Sequence, residues 1–149
     1  MVSIKFTEIK KAVNALLKER YPPEQYKIYG QDTREDYEEP CFFTEILDKG
    51  SSAETKNFAK GGFTLIITYF QEKKNELDQL EKIDEIKELF GLFFCVGDRK
   101  LTISNFSSDY IGEYQDILQI RVEIDYKENT QKADTAPIAA EIGVKVTQS

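Results

Sequence analysis

A dense acidic run, GQDTREDYEEP at residues 30–40, is the part of this sequence with the clearest potential for chemistry. It holds five carboxylates and one cation, Arg34. Carboxylates on a turn can converge on a divalent metal ion, and they can also act as acids and bases. The same composition is typical of a charged loop that lies in water. The acids that a turn would bring together as metal ligands are Asp32, Asp36, Glu38 and Glu39.

The rest of the chain gives little support to catalysis. There is no histidine, which removes the commonest general base and the commonest transition-metal ligand. The acidic run lacks the glycine and the glutamate that a calcium loop places at its sixth and twelfth positions, and no phosphate-binding glycine motif is present. A solvated charged loop is therefore the favoured interpretation. A metal site and a small metal-dependent enzyme, such as a nuclease, are the alternatives, and no cofactor is predicted.

Composition and charge narrow the classes of function. The chain has 149 residues, the size of one domain, and a net charge of −7. A protein that binds duplex nucleic acid needs a positive surface, and no cluster of Lys and Arg is dense enough here. No apolar run approaches the roughly 20 residues that cross a bilayer, and charges interrupt the N-terminus, so no signal peptide is predicted. We expect a cytosolic protein without membrane contact, in which Cys41 and Cys95 are reduced core residues.

The elements that position the acidic run begin with an amphipathic helix, which Tyr21-Pro22-Pro23 ends because proline cannot continue it. A short strand at residues 26–29 precedes the acidic run, and a strand with alternating faces, residues 41–48, follows it. The apolar stripe of the helix consists of Ile9, Ala12, Val13, Leu16 and Leu17.

A long connection, a strand and a second helix come next. Residues 48–62 are rich in Gly and Ser and predict a hairpin connection. Residues 63–70 are apolar or β-branched on both faces, which predicts a central strand. The helix begins at residue 74 or 75 and ends at Phe90, with Gly91 in the position of a C-terminal cap. Its predicted stripe is Leu77, Leu80, Ile83, Ile86 and Phe90.

A hairpin and a final strand complete the predicted sheet. Strands at 92–96 and 101–106 flank a tight turn at 97–100. In the final strand, residues 117–126, alternate residues form an apolar face for the core and a polar face for water or a partner. The polar face consists of Gln119, Arg121, Glu123 and Asp125.

This order of elements, α-β-β-β-α-β-β-β, predicts an α+β fold. The sheet is expected to be mainly antiparallel (mixed), with about five to six strands and with both helices packed on one face. Residues 1–127 form the predicted domain. Residues 128–149 have few large apolar side chains and are predicted to be an extended C-terminal arm.

Three segments in this order resemble the tail terminator proteins of long-tailed bacteriophages, especially those of phages and prophages of Gram-positive bacteria. They are IKKAVNALLKERYP near the N-terminus, YGQDTREDYEEPCFF around the acidic run, and the strand GGFTLIITYF. The resemblance covers about residues 3–127 and lies in the general pattern of residue types and in the order of the helices and strands.

The resemblance implies a structural protein of the virion without catalytic activity. Tail terminators form rings, typically hexamers, that cap the tail tube, stop its polymerisation and present a surface to the neck. In contractile tails the ring also meets the sheath protein. The implied partners are further copies of the chain, the tail tube protein and a neck or connector protein, and DNA passes through the lumen without specific binding. Assembly would occur in the host cytoplasm, and the product would lie at the tail–neck junction.

On this interpretation the charged side chains are candidates for subunit interfaces or for the lumen. A different head–tail joining or head-completion ring protein is the first alternative, and the metal-dependent enzyme is the second. The interface or lumen candidates are Asp32, Arg34, Glu35, Asp36, Glu38, Glu39, Lys100, Arg121 and Glu123.

Overall fold

The computed structural model describes residues 5–30, 35–53 and 58–129, which form two helices and six strands. The helices are α1, Phe6–Arg20, and α2, Glu76–Phe90. The strands are β1, Lys27–Tyr29; β2, Cys41–Ala53; β3, Phe58–Phe70; β4, Phe93–Val96; β5, Arg99–Ile111; and β6, Ile117–Asn129. The predicted α+β class and order of elements are confirmed.

The six strands form one mixed sheet in the order β1-β2-β3-β6-β5-β4. At one edge, β1 runs parallel to β2, with Lys27 opposite Cys41. At the other edge, β4 and β6 each run antiparallel to β5. The β5–β6 ladder closes at Ile111 opposite Ile117 and shifts register between Ile103 and Asn105.

The hydrophobic core lies between the helices and one face of this sheet. On β3, Phe63, Leu65, Ile67 and Tyr69 are at most 3% exposed and belong to the cluster that includes residues of both helices. Apolar alternation on β6 supplies the second row of the core, which is Leu118, Ile120, Val122 and Ile124. Residues 63–70 were predicted to form a central strand and residues 117–126 to turn one apolar face to the core, and both predictions are confirmed.

The opposite face, called here the outer face, is also covered where it crosses β3. Thr64, Ile66 and Thr68 are at most 8% exposed although no helix of the core cluster packs on them. Gln119 on β6 donates a hydrogen bond to Thr68 Oγ1 at 3.3 Å, so side chains of neighbouring strands supply part of this cover. The middle of the sheet is therefore buried on both sides.

Neighbouring residues set the end of α1 and both ends of α2. Helix α1 ends at Arg20, before the two prolines. At the start of α2, the Asn75 side chain accepts a hydrogen bond from the Asp78 amide at 3.2 Å. At its end Gly91 adopts φ +63°, a conformation that favours glycine, and its N–H donates to the Lys87 carbonyl.

The predicted apolar stripe of α2 is partly wrong. Leu77 is 71% exposed and Leu80 is 44% exposed. The helix instead turns Gln79 and Lys82 inward, and both are at most 6% exposed. Gln79 donates to the Asp116 carbonyl at 2.8 Å, and the partners of Lys82 are described below. Polar contacts therefore hold both side chains, and counting leucines gave the wrong helix face.

Three smaller predictions also need correction. The residues from 48 to 62 are not a long loop, because β2 continues to Ala53 and β3 begins at Phe58. The turn at 97–100 is shorter than predicted, because β5 already begins at Arg99. Cys95 is exposed, since it lies on the solvent side of the short edge strand β4, whereas Cys41 is buried as expected.

The chain divides into two compact units. The larger, Ile4–Gly50 and Gly62–Tyr126, contains both helices and the core. The described part of the smaller unit consists of residues 51–53 of β2, residues 58–61 of β3 and residues 127–129 at the end of the chain's last strand, β6. An arm was predicted for residues 128–149. From residue 130 onward it lies outside the described residues, so its boundary stays a prediction.

Candidate functional site

The acidic run connects β1 to β2, and an aromatic side chain within it packs on the outer face. The Tyr37 ring lies 5.2 Å from Phe43 and 5.3 Å from Phe70, measured between ring centroids. The Tyr29 hydroxyl accepts a hydrogen bond from the Glu38 amide at 3.0 Å. These contacts join the described part of the loop, residues 35–40, to three strands, so aromatic packing positions this part of its backbone.

The carboxylates described in this loop point into water. Glu35, Asp36, Glu38 and Glu39 are all exposed. Asp32 and Arg34 lie outside the described residues. Among the residues that the structure describes, no group of three or more His, Cys, Asp or Glu side chains is arranged to hold a metal ion.

The thiol next to this loop is unreactive. Cys41 is fully buried at the start of β2. Burial, and then the negative charge of Glu39, raise the pKa of this thiol to about 12. Because the thiolate is the nucleophilic form, Cys41 stays protonated and does no chemistry at neutral pH.

A second group of candidates lies on the outer face of β6. Glu123 forms an ion pair with Lys49 of β2, with Nζ and Oε1 separated by 3.2 Å, and Lys49 also reaches Asp125 Oδ1 at 3.0 Å. A hydrogen bond from Asn105, together with Lys49, lowers the pKa of Glu123. Arg121 is exposed and donates to Gln119 Oε1 at 3.4 Å.

This network means that Glu123 already has an intramolecular cation. The side chains of Lys49, Glu123 and Asp125 are about one-third to two-fifths exposed, so each ion pair contributes only about 0–1 kcal/mol. Lys49 was missed from the sequence because residues 48–62 were interpreted as a loop. Because β2 runs to Ala53, Lys49 belongs to this strand, and its side chain reaches the carboxylates of β6.

The last candidate, Lys100, lies near the opposite edge of the sheet from the acidic loop. It is exposed at the start of β5, and its Nζ lies 4.2 Å from the centroid of the Phe93 ring. The preceding residue, Arg99, has a buried Nη1 atom with no hydrogen-bond partner in the described part of the chain. The predicted site residues that the structure describes therefore fall in three places: the acidic loop beside β1, the outer face of β6, and the edge formed by β4 with Lys100.

One cluster of polar residues was not anticipated from the sequence. Lys82 of α2 is 4% exposed, and its Nζ donates to Asp78 Oδ1 at 2.9 Å. The same nitrogen lies 5.2–5.6 Å from the centroids of three aromatic rings, those of Tyr21, Tyr26 and Tyr69. Tyrosine faces attract an ammonium group, most strongly when water is excluded.

The carboxylates of this cluster are each held by several donors. Tyr69 and Gln71 donate to Asp78 Oδ2 at 2.7 and 2.8 Å. Glu85 accepts from the Tyr21 hydroxyl at 2.8 Å and from Arg20 at 2.9 Å. The cluster therefore joins the end of α1 and the end of β3 to one face of α2.

The electrostatics of this cluster indicate a structural role. Burial alone lowers the pKa of Lys82, but the hydrogen bond that Lys82 donates to Asp78 and the surrounding negative groups outweigh it, so the pKa is raised overall. An ammonium group held in this way is neither a base nor a nucleophile at neutral pH. Lys82 fixes the rotation of α2 on the sheet.

No helix in the described residues is long and apolar enough to span a membrane.

Comparisons with known proteins give a family and a fold. A family model described as phage tail terminator protein matches residues 8–136. No curated protein matches the chain. One solved structure, of a protein whose name states no function, matches with a TM-score of 0.52 at 10% identity, over 89% of this chain and 100% of that chain. At this identity the structural match supports the fold alone.

Proposed function

Because this chain belongs to the phage tail terminator protein family, we propose that it forms a closed ring that caps the tail tube, stops its polymerisation and provides the attachment surface for the neck. As a member of that family it is a structural phage tail protein and a component of the virion. The observation that carries the proposal is the family match across residues 8–136, which covers α1 from Glu8 onward, all of α2 and all six strands.

The expected assembly is a hexamer of identical subunits arranged head to tail. A ring of this type needs two different surfaces on each subunit that complement each other and close. Two such surfaces lie at opposite edges of the sheet. The acidic loop follows β1 at one edge, and Arg99 and Lys100 lie beside β4 at the other.

Charge complementarity between these edges supports a head-to-tail contact. The acidic edge presents Glu35, Asp36, Glu38 and Glu39 to water. The basic edge presents the exposed ammonium group of Lys100. A lysine attracts carboxylates as a point charge, so an acidic loop from a neighbour suits this edge.

The net charge of −7 suits a ring around a DNA conduit. A negative lumen repels phosphates and allows DNA to pass without specific binding. The remaining proposed partners are the tail tube protein, the sheath protein if the tail is contractile, and a neck or connector protein. The proposed place of the ring is the tail–neck junction, after assembly in the host cytoplasm.

Measuring tail length in phage that lack this protein tests the proposal. Without it, tails are expected to be longer than normal and unattached to heads, and supplying the wild-type chain restores the normal length. Tails of normal length with defective heads would instead point to a head-completion protein. Native mass spectrometry of the purified chain gives the number of subunits in the ring.

A further inference from the structure

Strand β5 has an open backbone edge. It is 13 residues long and pairs with β6 on one side as far as Ile111. On its other side, β4 pairs only with residues 99–102, and the amide of Ile103 donates to the Leu92 carbonyl. Within the described residues, no strand pairs with residues 104–111 on that side.

The amides that face this open side can be identified from one contact. The Tyr110 amide donates to the side chain of its neighbour Asp109 at 2.8 Å, which places this amide on the open side of the strand. In an antiparallel ladder, alternate residues direct both backbone groups to the same side. The register is continuous from Asn105 to Ile111, so Phe106 and Ser108 also direct their N–H and C=O groups outward.

Proteins normally protect a strand edge of this kind with lysine, proline or a covering element. Residues 104–111, SNFSSDYI, contain one charged residue and neither lysine nor proline. The edge of β2, at the opposite side of the sheet, is better protected. There Lys10 caps the Thr44 carbonyl, and Asp48 accepts from the Gly50 amide at 2.8 Å. The contrast marks β5 as the edge that is suited to receive a strand.

The side chains along the open edge specify what kind of strand fits. On the helix side of the sheet, Phe106 and Tyr110 are half-buried and pack against the core. On the outer face, residues 105, 107 and 109 are polar, and Asn105 donates to Glu123 Oε2 at 3.3 Å. An added strand therefore needs apolar side chains on one face and small or polar ones on the other.

The sequence of this chain contains a segment with that pattern. Residues 138–147, IAAEIGVKVT, alternate strictly, with one face formed by Ile138, Ala140, Ile142, Val144 and Val146. The other face carries Glu141, Lys145 and small residues. The segment has ten residues, which is enough to cover the eight residues of the open edge.

We propose that residues 138–147 of one copy add as a strand to the open edge of β5, residues 104–111, in the next copy. The choice of a neighbouring copy rests on the proposed ring, which needs a head-to-tail contact. The eight residues between Asn129 and Ile138 can span up to about 26 Å. Exchange therefore requires Asn129 of one copy to lie within this distance of residues 104–111 in the next copy.

Two full-length variants separate the receiving edge from the donated segment. Ser108→Pro removes an outward amide that β6 does not use, and Ser108→Ala keeps this amide as the matched control. Ile142→Asp combined with Val144→Asp places charges on the apolar face of the segment, and Lys145→Asp on the other face is its control. By light scattering, each control is expected to assemble like wild type, and both test variants are expected to be monomeric. Circular dichroism checks that each variant is folded.

Mixing the two test variants, one of them labelled with ¹⁵N, identifies exchange between copies. Ser108→Pro can still donate its segment, and the doubly substituted variant can still receive it. Native mass spectrometry of the mixture is therefore expected to show a one-to-one complex, although neither variant associates alone. The complex needs only residues 138–147 of the Ser108→Pro variant. It is therefore expected to form even though this variant does not assemble by itself.

The contrary results are distinct from a failure of the proposed function. If both test variants form wild-type oligomers, the strand exchange is wrong and the ring proposal stands. If both are monomeric but the mixture gives no complex, exchange between copies is wrong. A monomeric wild-type chain also overturns the exchange, and the proposed function then depends separately on the tail lengths measured in phage.

Discussion

Replacing the buried Lys82 with methionine is expected to lower the free energy of unfolding by about 2–3 kcal/mol. The change removes a hydrogen bond to a charged group, which contributes about 1.5–3 kcal/mol. It also removes the attraction of three tyrosine rings, which is about 2 kcal/mol for a desolvated cation. Methionine retains the apolar packing of the lysine stem, and this offsets part of the loss. Lys82 is only 4% exposed, so solvent screening reduces these contributions little.

The expected loss stays below the 3–5 kcal/mol typical of an orphaned buried charge because both carboxylates keep other donors. Asp78 retains Tyr69 and Gln71. Glu85 retains Tyr21 and Arg20. The side chains of Asp78 and Glu85 are also 28% and 26% exposed, so water reaches both of them.

Urea unfolding followed by circular dichroism measures this effect, with Lys74→Met as the matched control. Lys74 is 53% exposed and lies 3.7 Å from Asp116, so its replacement is expected to change stability by less than about 1 kcal/mol. If Lys82→Met unfolds within about 0.5 kcal/mol of the control, the cluster does not stabilise the fold as described.

The same variant is expected to flatten the dependence of stability on pH. Burial by itself raises the pKa of Asp78, but hydrogen bonds from Gln71, Lys82 and Tyr69 lower it overall. Because the folded pKa is depressed, this contribution is present above the unfolded aspartate pKa of about 3.9 and is lost as the pH falls through the folded value. Unfolding midpoints between about pH 6 and pH 3 should therefore decline more steeply for wild type than for Lys82→Met. Equal slopes would contradict the role of Lys82.

Three further predictions concern the core, a close backbone approach and the acidic loop. Ile67→Asp places an unpaired charge at a fully buried position, so it is expected to prevent soluble expression, and a soluble variant with unchanged thermal stability would contradict the fold. Gly62→Ala is expected to lower the free energy of unfolding, measured in urea, by about 1–3 kcal/mol, because the added Cβ would lie 2.9 Å from the Ile124 carbonyl oxygen. An unchanged urea midpoint would show that β3 and β6 move apart at this position without cost. Arg34→Glu is expected to reduce ring assembly by light scattering more than Asp32→Asn does, because it removes the only cation of residues 30–40, and the reverse order would favour a metal site.

The fold was predictable where periodicity and local chemistry agree. Alternation in residues 117–126 placed Val122 in the core and Glu123 on the outer face, and both positions are confirmed. Prolines after Arg20 and the glycine after Phe90 correctly ended the helices. These signals depend on neighbouring residues only, so the sequence contains them directly.

The failures lie where distant residues decide the outcome. The inward side of α2 is set by Lys82, whose tyrosine partners come from the α1–β1 connection and from β3, both distant from α2. Counting leucines could not reveal this arrangement. Residues rich in Gly and Ser at the end of β2 were interpreted as a loop, although sheet pairing overrides their weak strand propensity. That error also hid the contact between Lys49 and Glu123.

The candidate site was predicted in its composition but not in its arrangement. The acidic loop is exposed, as its charges indicate, but Tyr37 and not a carboxylate attaches it to the sheet. Lys100 and the acidic loop lie at opposite edges of the sheet. The order of the strands decides this arrangement, and the spacing of the residues in the sequence does not reveal it.

Electron microscopy of tail tubes polymerised with and without the purified chain tests the central claim most directly. If the chain is a terminator, tubes formed in its presence should carry a closed ring at one end, and added tube protein should not lengthen them from that end. Tubes that continue to grow from both ends without a ring, in the presence of excess folded chain, would contradict the account.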